Sequence, residues 1–256
     1  MLARARRTLF WCLDPKPHTG GVALFRAVYR AATRALVKRA DTVAVACEAL
    51  KREMCDRYRL PPARVMSIFY GVLDNLVFPD VHPAPQRDID LLFFGRLYRY
   101  KGLDVLLDAV GRLRSRGKTP SVVIAGRGPY VVPPTPGVTL DTRYLPDRDL
   151  VELIARAKIV VMPYHDATGS LVPQTAFSYG TPVVATSVGC LSEYVEDGVT
   201  GLLVPPGDPA RLADALERLL SDAQLWDSLS RNALDRAKTT FANGPLTARL
   251  LAQALA

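Results

Sequence analysis

Four consecutive large apolar residues, Leu91-Leu92-Phe93-Phe94, run into a glycine and then into leucines at helical spacing. That stretch narrows the possible folds of this chain more than any other. A run without polar alternation suits a strand covered on both faces, as in a parallel sheet. It breaks at Gly95 into a loop carrying Arg96 and Lys101, and Gly102 opens a new segment. There Leu103, Leu106, Leu107, Val110 and Leu113 line one face of a helix. Two cations therefore sit at the carboxyl end of a strand, beside a helix N-terminus. Open α/β sheets take ligands at that edge, and the helix end favours an anion. A diphosphate suits the pair, because Arg96 can fork two oxygens while Lys101 supplies a point charge. The plainer alternative, two solvated surface cations, is what an isolated Arg and Lys would be; the flanking strand and helix shift the balance to the ligand site.

The rest of the chain repeats the alternation. Thr8–Leu13 reads as a strand ended by Asp14-Pro15-Lys16-Pro17-His18, and residues 21–39 as an amphipathic helix. Leu24, Val28, Ala31, Ala35 and Val37 are expected on its inner face; Arg26, Arg30, Arg34 and Lys38 form a basic stripe opposite. Strand 42–46, helix 48–58 and strand 65–69 complete this first part. The proline-rich stretch 70–90 is the expected linker. Beyond it come strand 88–94, helix 102–116, strands 121–125 and 138–141, and a helix capped by Asp147. Strand 159–162, a helix capped by Ser170, strands 183–185 and 202–204, and helices after the Asp208-Pro209 cap complete the pattern. The expected fold is α/β, with one complete doubly wound, Rossmann-like domain at 81–240. A partial N-terminal α/β domain occupies 1–80, and a last helix at 241–256 is expected to pack back on it.

Charge is distributed unevenly. Residues 1–60 hold 13 Lys/Arg against 5 Asp/Glu, so the whole formal net charge of +8 lies there. Such a face suits anionic lipid or a phosphorylated acceptor. No aromatic-interleaved pattern accompanies it, so no nucleic acid is expected. No segment approaches the ~18 apolar residues of a membrane span, and Leu9–Leu13 is too short for a signal-peptide core. A cytoplasmic protein is expected, with peripheral contact at the inner face of an anionic membrane. The four cysteines and three histidines show no metal-ligand spacing, so no metal site is expected; the thiols read as reduced core filler.

Four loops converge on the carboxyl edge of the second sheet. Gly95–Lys101 is the first. In Gly126–Pro129, Gly126 and Gly128 permit close backbone approach to a ligand. In Asp141–Leu145, Arg143 or Tyr144 could stack on a base or stand simply exposed. The fourth, Tyr164–Leu171, places Asp166 and two hydroxyls before a helix N-terminus able to stabilise a leaving pyrophosphate; an ordinary capped helix is the alternative.

Taken as an ordered set, FFGRLYRYKGLDVLLDAV, IAGRGP and SYGTPVVATSVGCLSEYVEDGVTGLLVPPGD resemble the retaining nucleotide-sugar glycosyltransferases of the GT-B fold, family 4. The resemblance implies a GT-B-type architecture in which Arg96 and Lys101 hold the donor diphosphate without a metal or cofactor. It implies two polar residues eight positions apart, Asp166 at the sugar and Gln174 at the ribose, where the family usually has acids. The backbone of Gly169, Ser170 and Leu171 would face sugar and phosphate, with Gly95, Gly126, Gly128, Arg143 and Tyr144 completing the donor side. The DPKPH segment is similar to the HDPxPH of some members, which puts Asp14 and His18 on the acceptor side; Leu13 stands where a histidine often precedes the Asp. Residues 1–80 look like only the last part of the family's N-terminal domain. The expected activity is transfer of a sugar from a nucleoside diphosphate to a glycan or lipid-linked acceptor, with retention. The alternatives are a non-catalytic nucleotide-sugar-binding remnant, a subunit completed by a partner, or a nucleotide-sugar epimerase.

Overall fold

A computed structural model of the chain describes residues 7–15, 23–84 and 86–255. The chain divides into two compact units, Met1–Tyr70 with Asn243–Ala256, and Gly71–Ala242.

The first unit is a three-stranded parallel sheet, β1 (Leu9–Trp11), β2 (Thr42–Val45) and β3 (Val65–Ser67), in that spatial order. Helix α1 (Ala23–Arg39) joins β1 to β2, and α2 (Glu48–Tyr58) joins β2 to β3. Ala44, Met66 and Ile68 form a small core against which Trp11 and, from the C-terminal helix (Asn243–Leu255), Leu246 and Leu250 pack. The inner face expected for α1 is corrected. Thr33 and Val37 are buried, while Val28 and Leu36 are 59% and 49% exposed and Ala31 and Ala35 face water. Leu24 and Arg26 have side chains outside the described residues. A sheet of three short strands covers only a thin stripe of a 17-residue helix, so the alanines that fit either face fall outside it. Cys12 and Cys55 carry free thiols.

The second unit holds six parallel strands: β4 (Ile89–Phe94), β5 (Val122–Ala125), β6 (Val138–Asp141), β7 (Ala157–Met162), β8 (Val183–Thr186) and β9 (Gly201–Val204). Their order is β6-β5-β4-β7-β8-β9, so the winding reverses between β4 and β7. Leu91 pairs with Val122 on one side and Ile159 on the other. Leu91, Leu92 and Phe93 are buried to within 1%, as a non-alternating central strand requires. Helices α3 (Leu103–Ser115), α4 (Asp147–Arg156), α5 (Val172–Ser178), α6 (Leu191–Tyr194), α7 (Pro209–Ser221) and α8 (Ala223–Thr239) connect and follow the strands. Asp208 caps α7 by accepting from the Arg211 N–H, with Pro209 in the first turn. Asp147 does not cap α4. It is the first helical residue, after Pro146, and its carboxylate accepts from the Asn75 amide at 2.6 Å.

Arg87, just before β4, was not singled out by the sequence. Its guanidinium donates to the carbonyls of Ile154, Ala157, Tyr179 and Gly180 and to the Thr181 hydroxyl, and lies 5.1 Å from the Trp226 ring. It ties the ends of α4 and α5 to the start of β7. Burial pulls it down to about 10, so it stays charged at neutral pH. Arg87→Met is expected to cost about 3 kcal/mol, because it leaves several buried acceptors unmatched. A urea midpoint shifted by less than a third of that would show the carbonyls to be satisfied another way.

Candidate active site

The reversal of strand order opens a crevice at the carboxyl ends of β4 and β7, where open α/β sheets bind ligands. The β4 loop forms one side. Its Gly95 N–H donates to Ala125 O (3.0 Å) and its Leu97 N–H to Arg127 O (2.8 Å), while Leu97 O accepts from the Tyr130 N–H (3.0 Å). This seam explains two of the glycines. A Cβ on Gly126 would stand 1.8 Å from Gly95 O, and one on Gly128 would stand 2.1 Å from Leu97 O. The space that the Gly-x-Gly pattern leaves is therefore filled by the neighbouring loop, which corrects the expectation that a ligand's approach requires it.

The β7 loop forms the other side, and Gly102 brings the two together. At φ +67, a Cβ on Gly102 would lie 1.8 Å from Pro163 O. The His165 N–H donates to Tyr100 O at 2.8 Å, and the His165 ring Nε2 lies 3.0 Å from Asp104 Oδ1 in the first turn of α3. Sequence reading missed this pair, whose members are 61 residues apart.

Lys101 is the chemically unusual group. Its Nζ sits 3.6 Å from the centre of the Tyr164 ring and 5.2 Å from that of Tyr100. Tyr164 is fully buried; its hydroxyl bonds that of Ser170, and burial pushes the phenol well up. Burial, reinforced by the charge of Arg96, pulls the Lys101 ammonium down from 10.5 to about 7, with no carboxylate among the groups that set its charge. A cation held over aromatic faces without a counter-ion is poised for an anion. Arg96 is exposed, with Nη2 3.2 Å from the Tyr100 hydroxyl and Cζ 5.4 Å from the Tyr98 ring.

In the β7 loop Asp166 is exposed, and Gly169, Ser170 and Leu171 are half-buried. Ser170 is not the expected cap of α5. Leu171 holds that position, and Ser170 Oγ, engaged by Tyr164, accepts from the Val172 N–H at a long 3.3 Å. Gln174 is fully buried in α5 and presents no atom to solvent. Arg143 and Tyr144 follow β6, the outer strand, with β5 between them and β4. Arg143 pairs with Asp141 at 2.7 Å, and Tyr144 is 76% exposed. The fold thus brings Arg96, Lys101, Asp166, Ser170 and Leu171 to the switch-point loops and leaves Arg143 and Tyr144 at the sheet's edge.

In the first unit, the loop carrying Asp14 is held by three phenols. Tyr70, Tyr29 and Tyr58 donate to the carbonyls of Leu13, Asp14 and Pro15 at 3.4, 2.7 and 3.1 Å. His18 lies outside the described residues. Among the described residues, no group of three or more His, Cys, Asp or Glu could hold a metal ion, and no helix is long and apolar enough to cross a membrane.

A doubly wound α/β unit with a cationic switch-point loop defines a class of nucleotide-binding domains. Within that class, residues 88–222 match the family described as Glycosyl transferases group 1, more than half of the chain, and the protein belongs to that family. The chain is 33% identical over 227 residues to the D-inositol 3-phosphate glycosyltransferase of Corynebacterium efficiens, covering 79% of this chain and 54% of that protein. It is 29% identical over 223 residues to the alpha-D-kanosaminyltransferase of Streptomyces kanamyceticus, covering 79% and 57%. The chain thus spans about half the length of the curated relatives it matches. Among solved structures, sucrose-phosphate synthase from Thermosynechococcus elongatus superposes with a TM-score of 0.76 at 22% identity, covering 94% of this chain and 65% of that one. Anabaena HepE, solved in complex with UDP, superposes at 0.73 and 19% identity, covering 95% and 71%. The fold is the α/β, parallel-sheet architecture of GT-B glycosyltransferases.

Proposed function

We propose that this protein is a glycosyltransferase that binds a nucleoside-diphosphate sugar in the β4–β7 crevice and transfers its sugar, with retention, to a glycan or lipid-linked acceptor. The observation that carries this reading is Lys101, a cation over the Tyr164 ring with no carboxylate to neutralise it. Family membership and UDP in a structural neighbour support it. As the glycosidic bond to the donor breaks, negative charge builds on the departing diphosphate. Lys101 meets that charge as an ammonium and Arg96 as a fork, so the chemistry calls for no metal or cofactor. Tyr164 fixes the lysine laterally and, through its hydroxyl, steadies Ser170 at the entry to α5. Asp166, exposed on the same loop, orients the sugar hydroxyls. The ribose role of Gln174 requires its buried amide to become accessible on binding. Asp14, and His18 beyond it, belong to the acceptor side.

Calorimetric titration with UDP and GDP, followed by NMR of the anomeric product, tests the reading. Saturable binding and an α-linked product from an α-donor support it. Binding without transfer or hydrolysis leaves a nucleotide-sugar-binding module instead.

The lysine also sets a pH dependence. Below about pH 7 it is already charged; above that, a diphosphate has to recruit a proton to it. Affinity is therefore expected to fall by up to tenfold per pH unit above 7, with uptake of up to one proton. The nucleotide phosphate, with its last pKa ~6, stays fully ionised in that range. Equal binding enthalpies in HEPES and Tris at pH 8, after correction for nothing but dilution, would exclude the uptake. Stability of the free protein runs with the same sign throughout the window. Between about 7 and 10.5 the unfolded chain binds more protons at this lysine, so stability rises with pH there.

A further inference from the structure

The surplus charge of the first 60 residues is gathered on one face. A groove of about 590 Å³ runs between α1 and α2, lined by Arg30, Arg34, Lys38, Arg57 and Tyr58 over a floor of alanines. A second of about 360 Å³ shares Arg34, Lys38 and Arg57 and adds Arg59. One carboxylate answers them, Glu53, bound to Arg57 at 2.7 Å. Among the described residues, Arg34, Lys38 and Arg59 have no ion-pair partner. Arg59 is also the one described non-glycine residue with positive φ, 54°, at the left-handed position that ends α2. Glycine would fill that place without strain; the arginine there puts a further guanidinium on the groove.

Beside this basic stripe α1 exposes an apolar band. Arg30, Arg34 and Lys38 recur every four residues on one arc, and Val28, Ala32 and Leu36 recur on another, all of them exposed. A helix with cations on one flank and an apolar strip on the next matches the chemistry of a lipid–water interface. A soluble polyanion or a nucleic acid would use the cations and leave Val28 and Leu36 in water. A second copy of this face would set cations against cations.

We propose that this face of α1 and α2 docks on an anionic lipid surface, with headgroup phosphates in the groove and Val28 and Leu36 at the acyl boundary. The proposal is independent of the donor-site reading and is tested without any sugar donor. The full chain is sedimented with vesicles of phosphatidylcholine alone or with 30% phosphatidylglycerol, at low and high sodium chloride. The expected result is binding to the anionic vesicles only, weakened at least tenfold by salt. Replacing both Arg34 and Lys38 by Gln is expected to lower partitioning about 25-fold, roughly fivefold per cation. Leu36→Trp, at an exposed site, is expected to shift the emission of the introduced indole to the blue when anionic vesicles are added. Equal binding to both vesicle types, no binding, insensitivity to salt, or an unshifted emission from the bound Leu36→Trp variant would each overturn the proposal. Saturable binding of inorganic phosphate with vesicles left unbound would replace the lipid by a soluble anion, and would overturn it as well.

Discussion

Lys101→Ala is expected to slow sugar transfer by about 10²–10³-fold and to weaken nucleoside-diphosphate binding, the loss seen when one preorganised charge donor is removed from a developing anion. Arg96→Ala is expected to act in the same direction but less strongly, because Arg96 is exposed and its field is screened by water. A stability measurement separates this from simple damage. The buried ammonium is unfavourable in the free protein below pH 7, since burial depresses it and no carboxylate offsets that cost. Lys101→Met should therefore fold at least as stably as the parent at pH 6 while failing to bind UDP. If both cation variants bind UDP within twofold of the parent, the diphosphate is held elsewhere and the active-site assignment falls.

The largest stability effect is expected at Gly102. Its φ of +67 alone disfavours a side chain by about 1 kcal/mol. A methyl group there would also stand 1.8 Å from Pro163 O, a backbone atom that cannot rotate away. Gly102→Ala is expected to cost at least about 4 kcal/mol and to separate the two loops that frame the crevice. Gly117→Ala is the control: φ is +77 there, and nothing lies within 4 Å of the added methyl. It should lose only the conformational part, about 1 kcal/mol. Equal urea midpoints for the two variants would show that the backbone at Gly102 moves freely, and the clamp between the loops would have to be abandoned.

How much of this was legible in the sequence depended on whether the determining contacts were local. The strand-loop-helix unit around Leu91–Gly102 was readable because a four-residue apolar run and leucines at helical spacing leave few alternatives. The ends of α2 were readable because the two prolines after Tyr58 stop a helix. The inner face of α1 was not, since alanine patterns are compatible with burial or exposure and the size of the sheet beneath decides between them. The Gly126-x-Gly128 pattern revealed a close approach but not which backbone makes it. Arg87 and the His165–Asp104 pair had no signal at all: the partners of Arg87 lie 67 to 94 residues away in the chain. Asp166 and the switch-point loop were reached through the resemblance, and their neighbourhood beside Lys101, Tyr164 and Ser170 emerged only from the fold.

The three phenols on the Leu13, Asp14 and Pro15 carbonyls come from α1, α2 and the segment after β3. A hinge there would have to surrender three anchors at once, on elements that do not follow one another in the chain. The segment entering the acceptor side is thus moored like a spar with three stays, and any displacement carries the whole first unit with it.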